Sequence, residues 1–195
     1  MPSRICWGRR SELEISRPAS SLEDHSMNDP ALINAFVKAA METFQIELQL
    51  DVKRGAPSIT QPDAAGLPVM ALIGITGDIE GILSLGVTCE TACAIAGHLM
   101  GEEMTEMTAL VESGICEMCN VVGGSAAMAI TGLGLKVDIT PPVFIMGDAL
   151  KMSLGGVPRL TAPFITPLGN IELKLAYHER SAADHGSALH VGAKL

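Results

Sequence analysis

Glu117 and Asn120 stand three residues apart in the stretch Glu112-Ser113-Gly114-Ile115-Cys116-Glu117-Met118-Cys119-Asn120-Val121-Val122-Gly123-Gly124. On a helix, positions i and i+3 share a face with Cβ atoms about 5–6 Å apart, so a carboxylate and a carboxamide would point the same way. The first group only accepts hydrogen bonds and the second donates and accepts. Asparagine is a weak helix former, and each glycine of Gly123-Gly124 costs about 1 kcal/mol relative to alanine inside a helix. A helix that carries all three does so for a reason. The missing side chains at Gly123 and Gly124 allow close approach of another backbone, from the same chain or from a partner. The plainer alternative makes Glu117 a solvated charge, leaves Asn120 bonding a loop, and gives the glycines to internal packing.

Other side chains compete for attention. Cys116-x-x-Cys119 with Cys89-x-x-x-Cys93 has the count of a four-thiolate zinc site, but such pairs sit on polar turns, and both pairs here fall in predicted helices. They read as small buried hydrophobes. A thioredoxin-like redox role lacks the βαβ context it needs. His98 falls at a helix end, where the dipole favours a cation, and His178, His185 and His190 read as solvated residues of a polar tail. Glu42-x-x-Gln45 is a second carboxylate and carboxamide pair, and it reads as surface. No metal ligand set, nucleophile or cofactor motif stands out.

The elements that must position Glu117 and Asn120 follow from periodicity. Asn28-Asp29-Pro30 is a helix start, and Leu32, Phe36, Ala40, Phe44 and Leu48 with Ile33 and Val37 give one apolar face, so a helix is predicted to about Gln49. A Pro- and Gly-rich loop, 55–66, precedes strands at 69–75 and 81–87, joined by a turn at Thr76-Gly77-Asp78. A helix is expected over 88–100, ended by Gly101, and the longest helical stretch over 102–131, split near Thr105 and carrying the Glu117 face from Ser113 onward. Strands are expected at 135–139, 143–149, 157–164 and 170–177.

Composition narrows the class. The 195 residues are 48% hydrophobic and 18% charged, with a net charge of −9, so the field of the molecule repels nucleic acid and anionic lipid. The longest unbroken apolar run, Val69 to Ile75, is far shorter than a membrane helix needs. Five cysteines scattered through apolar segments suit a reducing compartment, and the expectation is a cytoplasmic protein. Residues 1–26 read as a flexible N-terminal extension, with Met27 as a candidate natural start; 27–178 form one domain, and 179–195 a polar C-terminal tail.

That domain is internally repeated. Leu50-x-Val52 followed by Pro57 recurs as Leu135-x-Val137 followed by Pro142, and Gly77-Asp78-Ile79-Glu80 recurs as Gly169-Asn170-Ile171-Glu172. Two halves, each a helix followed by antiparallel strands, would pair about a pseudo-twofold axis and share one core. The expected fold is α+β: an internally duplicated antiparallel sheet covered by helices. An offset of 85 residues carries Glu117 onto Leu32 and Asn120 onto Ala35, so only the second half has the pair.

Ser113-x-x-x-Glu117-x-x-Asn120, with Pro142 just over twenty residues further on, resembles the signature of the CheC/CheX/FliY phosphatases of bacterial chemotaxis. Asn120-Val121-Val122-Gly123-Gly124 and the opening Asn28-Asp29-Pro30-Ala31-Leu32-Ile33-Asn34 look most like its CheX branch, and a single motif also suits CheX. The resemblance covers roughly residues 27–177; the proline spacing is slightly shorter than the usual CheC form. It implies dephosphorylation of a phosphorylated CheY-like response regulator, with Asn120 positioning the attacking water and Glu117 engaging a lysine of the partner. It also implies a homodimer and no cofactor in this chain, since the response regulator brings its own Mg²⁺. A non-catalytic docking module for response regulators or the flagellar switch is the other reading of the same helix face.

Overall fold

A computed structural model describes residues 29–60, 66–148, 150 and 159–179. The expected extension 1–26, most of the C-terminal tail, and His185 and His190 lie outside them.

The first helix, α1 (Pro30–Leu48), begins as its sequence dictates. The Asp29 carboxylate accepts from the Ala31 N–H at 2.8 Å, and Pro30 fills the position where no N–H is needed. Its every-fourth apolar series, Leu32 to Leu48, is buried throughout. Two short strands follow, β1 (Lys53–Arg54) and β2 (Ser58–Thr60), then the long hairpin β3 (Val69–Gly77) and β4 (Ile79–Val87). α2 (Cys89–Met100) is capped by Thr88 and closed by Gly101 in the left-handed region, φ 73°. α3 (Ala109–Thr131) starts at a Thr108 cap, later than expected, because 102–108 forms a loop rather than a first helical segment. The second half then repeats the plan: short strands β5 (Val137–Ile139) and β6 (Val143–Met146), and a long hairpin β7 (Arg159–Thr166) and β8 (Gly169–Glu179).

The strands make one antiparallel sheet in the order β1-β7-β8-β4-β3-β5, with β2 also on β7 and β6 also on β3. Each half lends its short strands to the long hairpin of the other, so neither half closes a sheet alone. β4 and β8 pair at the centre, and Leu83 lies opposite Leu175, 92 positions apart, the same spacing as the two Gly-x-Ile-Glu motifs. That pair marks the pseudo-twofold axis. β2 starts directly after Pro57 and β6 directly after Pro142, so the two prolines that betray the repeat open equivalent edge strands. The fold is therefore α+β and duplicated, as expected.

β1 and β2 were not anticipated. They are two and three residues long, β1 is exposed at both positions, and neither is long enough to show a period. Only the edge of β7 makes them strands. At the expected turn Gly77 takes φ 116°, and the Asp78 carboxylate accepts from the Lys136 N–H at 2.7 Å, fastening the corner of the hairpin to the entry of β5.

One face of the sheet carries the core. Ile73, Ile79, Leu83, Leu85, Ile171, Leu173, Leu175 and Tyr177 pack beneath α1 and α3, with Phe44 edge-on to Phe164 at 5.0 Å between ring centres. Such a ring pair adds about 0.5–1.5 kcal/mol beyond burial. α3 is 23 residues long with a mean hydropathy of 1.2, long and apolar enough to cross a membrane by length and composition, although no unbroken apolar run marks it. Its apolar stripe, Val111, Ile115, Met118, Cys119, Val122, Ala126 and Ile130, is buried in this core. His178 is not a tail residue: it lies in β8 opposite Glu80, with Nε2 at 3.6 Å from the carboxylate. Sheet pairing continues past the point where composition turns polar.

Candidate functional site

The buried stripe of α3 fixes what its other face must show. Ser113 and Glu117, one turn apart, are exposed; Asn120 follows on the same side and is half-buried, then Gly124 one turn later. Glu117 and Asn120 make no hydrogen bond or ion pair among the described residues. Among the described residues, the loop bond expected of Asn120 under the plainer reading does not form. A carboxylate and a carboxamide thus stand side by side on a rigid helix with their bonding capacity unused.

The two adjacent glycines serve different ends. A Cβ on Gly123 would overlap Cδ1 of Ile73, so this glycine lets the sheet side chain reach the helix. A Cβ on Gly124 would meet nothing within 4 Å. Among the described residues of this chain, neither contact is the close approach of a second backbone: side chains of Ile73 and Ile139 lie nearest Gly123, and nothing lies near Gly124. Helical phase accounts for the difference once the buried side is known, since Gly123 falls four residues after buried Cys119 and Gly124 four after half-buried Asn120.

The thiols of the CxxC differ as sharply. Cys119 is buried, its Sγ–H directed at the Ala71 carbonyl at 3.5 Å, and burial first of all pushes its thiol up to about 12. Cys116 is half-buried; burial, then the Glu112 carboxylate, raises its pKa. Neither is held as a thiolate, the form that metal binding and nucleophilic attack require. Cys93 is buried near the sulfur of Met107 at 3.9 Å, and among the described residues no three His, Cys, Asp or Glu side chains gather as a metal set would. His98 donates from Nε2 to the Leu48 carbonyl at 2.7 Å; a carbonyl only accepts, so Nε2 carries the proton. It thereby satisfies one of the orphan carbonyls that end α1, a structural role. Glu42 pairs with Lys38 at 3.7 Å on the open surface, and Gln45 is exposed.

Pro142 lies in the β5–β6 connection, beside Thr140, whose N–H donates to the Gly74 carbonyl at 3.0 Å and whose Oγ1 accepts from the Gly74 N–H at 2.8 Å. The proline of the motif thus follows, by two residues, a clamp that Thr140 makes on β3.

The repeat needs one correction at the helices. The offset of 85 placed Leu32 opposite Glu117, yet Leu32 is fully buried and Glu117 exposed. Burial aligns instead three residues earlier: Leu32, Phe36, Val37, Ala40, Phe44 and Leu48 match Gly114, Met118, Cys119, Val122, Ala126 and Ile130, all buried. The strands keep their offset because a longer connection follows α3. Glu117 then corresponds to Ala35 and Asn120 to Lys38, and the first half still lacks the pair.

Similarity to known proteins now bears on this face. A sequence model of the family described as "Chemotaxis phosphatase CheX" matches residues 69–165, a span that includes Glu117 and Asn120. "CheY-P phosphatase CheX" of Thermotoga maritima is 35% identical over 130 residues, which are 66% of this chain and 84% of that protein. Among solved structures, CheX of Desulfovibrio desulfuricans has a TM-score of 0.68 at 23% identity, covering 75% of this chain and 99% of its own. The CheX in a CheX-CheY-BeF3-Mg complex from Borrelia burgdorferi has a TM-score of 0.68 at 28% identity, covering 76% and 98%.

Proposed function

We propose a function that proceeds from one fact, that this chain belongs to the chemotaxis phosphatase CheX family: it hydrolyses the aspartyl phosphate of a CheY-like response regulator, using Glu117 and Asn120. Membership makes it a phosphoaspartate phosphatase, a hydrolase. The relative from Thermotoga maritima is named for action on CheY-P, and the Borrelia burgdorferi relative was solved bound to CheY. The single observation that carries the residue assignment is the open, unengaged pair on α3.

In the reaction, a water oxygen attacks phosphorus, the bond from phosphorus to the aspartyl oxygen breaks, and a carboxylate leaves with the electron pair. An acyl phosphate is already labile, so the helper has little covalent work. The Asn120 amide accepts a hydrogen bond from the water and holds it in line, while Glu117 forms an ion pair with a lysine of the regulator and sets the register of docking. Mg²⁺ and a lysine held by the response regulator would supply the neutralisation of the phosphoryl oxygens, which leaves this chain only docking and water positioning. A hundredfold acceleration needs about 2.7 kcal/mol, within what positioning supplies. The helix is a suitable platform, since its buried stripe locks rotation of the exposed face.

The same reading places the chain in the cytoplasm with its regulator, as a homodimer. In support of the dimer, β6 is an edge strand that presents Val143, Ile145 and Met146 to solvent. An apolar edge of this kind suits pairing with a second copy.

The test is the rate of phosphoryl loss from a panel of phosphorylated response regulators, with and without this chain and its Asn120→Ala variant. Acceleration that vanishes in the variant supports the phosphatase; binding without acceleration supports the docking module instead.

A further inference from the structure

Gly124 has no structural use for being glycine. It lies within α3 and has no positive φ, so its backbone does not need the freedom that glycine gives. Among the described residues no atom within 4 Å would resist a Cβ, so their packing does not require it either. Glycine inside a helix still lowers stability relative to alanine. Gly123, its neighbour, has a reason in Ile73. Gly124 has none among the described residues.

Its place on the helix supplies one. Cα–Cβ bonds of a helix tilt toward the N-terminus, so a residue covers the surface over the turn before its own. The turn before Gly124 is that of Asn120. A side chain at 124 would lean over the ground where the Asn120 amide must hold water and meet a phosphoryl group. Met128, a further turn on and 72% exposed, leaves that ground open.

We propose that Gly124 is a clearance position of the phosphatase site, kept bare so that the partner's main chain beside the phosphoaspartate can settle over Asn120. This rests on the assignment of Asn120 under Proposed function. It adds a requirement that the motif of Glu117 and Asn120 does not contain: the two side chains work only beside an empty surface. The first half shows the contrast, for Glu42 occupies the position that corresponds to Gly124.

The test is a graded series, Gly124→Ala and Gly124→Leu, read by thermal unfolding, by affinity for a beryllofluoride-activated response regulator, and by the rate of phosphoryl loss. Gly124→Ala is expected to raise Tm by about 2–4 °C while lowering kcat/KM several-fold. Gly124→Leu should fold equally well and lose at least tenfold in affinity and about a hundredfold in turnover. A structural role cannot produce that opposition of sign. Wild-type affinity and turnover in Gly124→Leu would overturn the proposal. Should the unaltered chain bind the regulator without accelerating phosphoryl loss, the catalytic reading fails, and the affinity of Gly124→Leu still decides whether the surface must be bare. Absence of both binding and acceleration in the unaltered chain would overturn clearance together with the site.

Discussion

α1 and α3 pack on the same sheet in the same phase, yet their outward faces have nothing in common. Where α3 presents Glu117, Asn120 and Gly124, the corresponding positions of α1 hold Ala35, Lys38 and Glu42, the last two paired with each other at 3.7 Å. The buried positions match because both helices cover one sheet across a pseudo-twofold axis, which constrains volume and polarity at each contact. No such constraint reaches the outward face. A duplicated fold thus holds its core symmetric while one copy of the surface carries the proposed site and the other a solvated ion pair. On the proposed reading, the difference would rest activity on Glu117, Asn120 and the bare surface at Gly124, none of which the packing of the core requires.

Asn120→Ala should break the contrast most completely. Turnover is expected to fall about a hundredfold, equivalent to 2.7 kcal/mol, with Tm and affinity for the activated regulator unchanged, as read by single-turnover decay and a melting curve. Glu117→Lys comes next. A like charge set against the partner's lysine should weaken binding tenfold or more, measured by titration of the activated regulator, and raised salt should shrink the deficit. Gly123→Ala attacks the inner face instead: the methyl must displace Ile73, costing about 1–3 kcal/mol of stability, visible in urea unfolding. At Gly124 the same substitution should stabilise.

Two smaller effects sharpen the comparison. Burial holds the Cys119 thiol at about 12, above the ordinary value of 9.0, so the folded state retains this proton more tightly than the unfolded chain. The contribution is full below pH 9.0 and declines as pH rises toward 12. Cys119→Val should flatten that alkaline decline in denaturation curves, with little loss otherwise, because Val37 fills the matching place in α1. Least of all, Ala35→Glu with Lys38→Asn should leave phosphatase turnover within about twofold in the kinetic assay, since Glu42 still covers the ground that Gly124 leaves bare. A second full site from those two changes alone would refute the clearance requirement.

Much of this was legible beforehand. α1 could be read residue by residue, because Asp29-Pro30 and an every-fourth apolar series each carry a local physical cause. The repeat was visible through prolines and glycines, residues whose backbone demands recur wherever the chain must turn or run along a sheet edge. β1 and β2 escaped, being too short to show a period. His178 reads as tail in the sequence because its charge neighbour Glu80 is distant along the chain and adjacent only across the sheet. The helix offset was off by three residues, close to one turn, because short matched motifs lie in the strands and the connection after α3 is longer.

Sequence alone determined the helices' main spans, the long strands, the duplication, and the presence of Glu117 and Asn120 on one helical side, since these follow from interactions among near neighbours and from the period of the helix. Tertiary structure decided which side of α3 faced outward, that each half completes the sheet of the other, and that Gly123 and Gly124 differ. Those facts depend on what lies across the fold. Whether a missing side chain is filled by Ile73 or left open is a property of neighbours far away in the chain, and only packing brings them together.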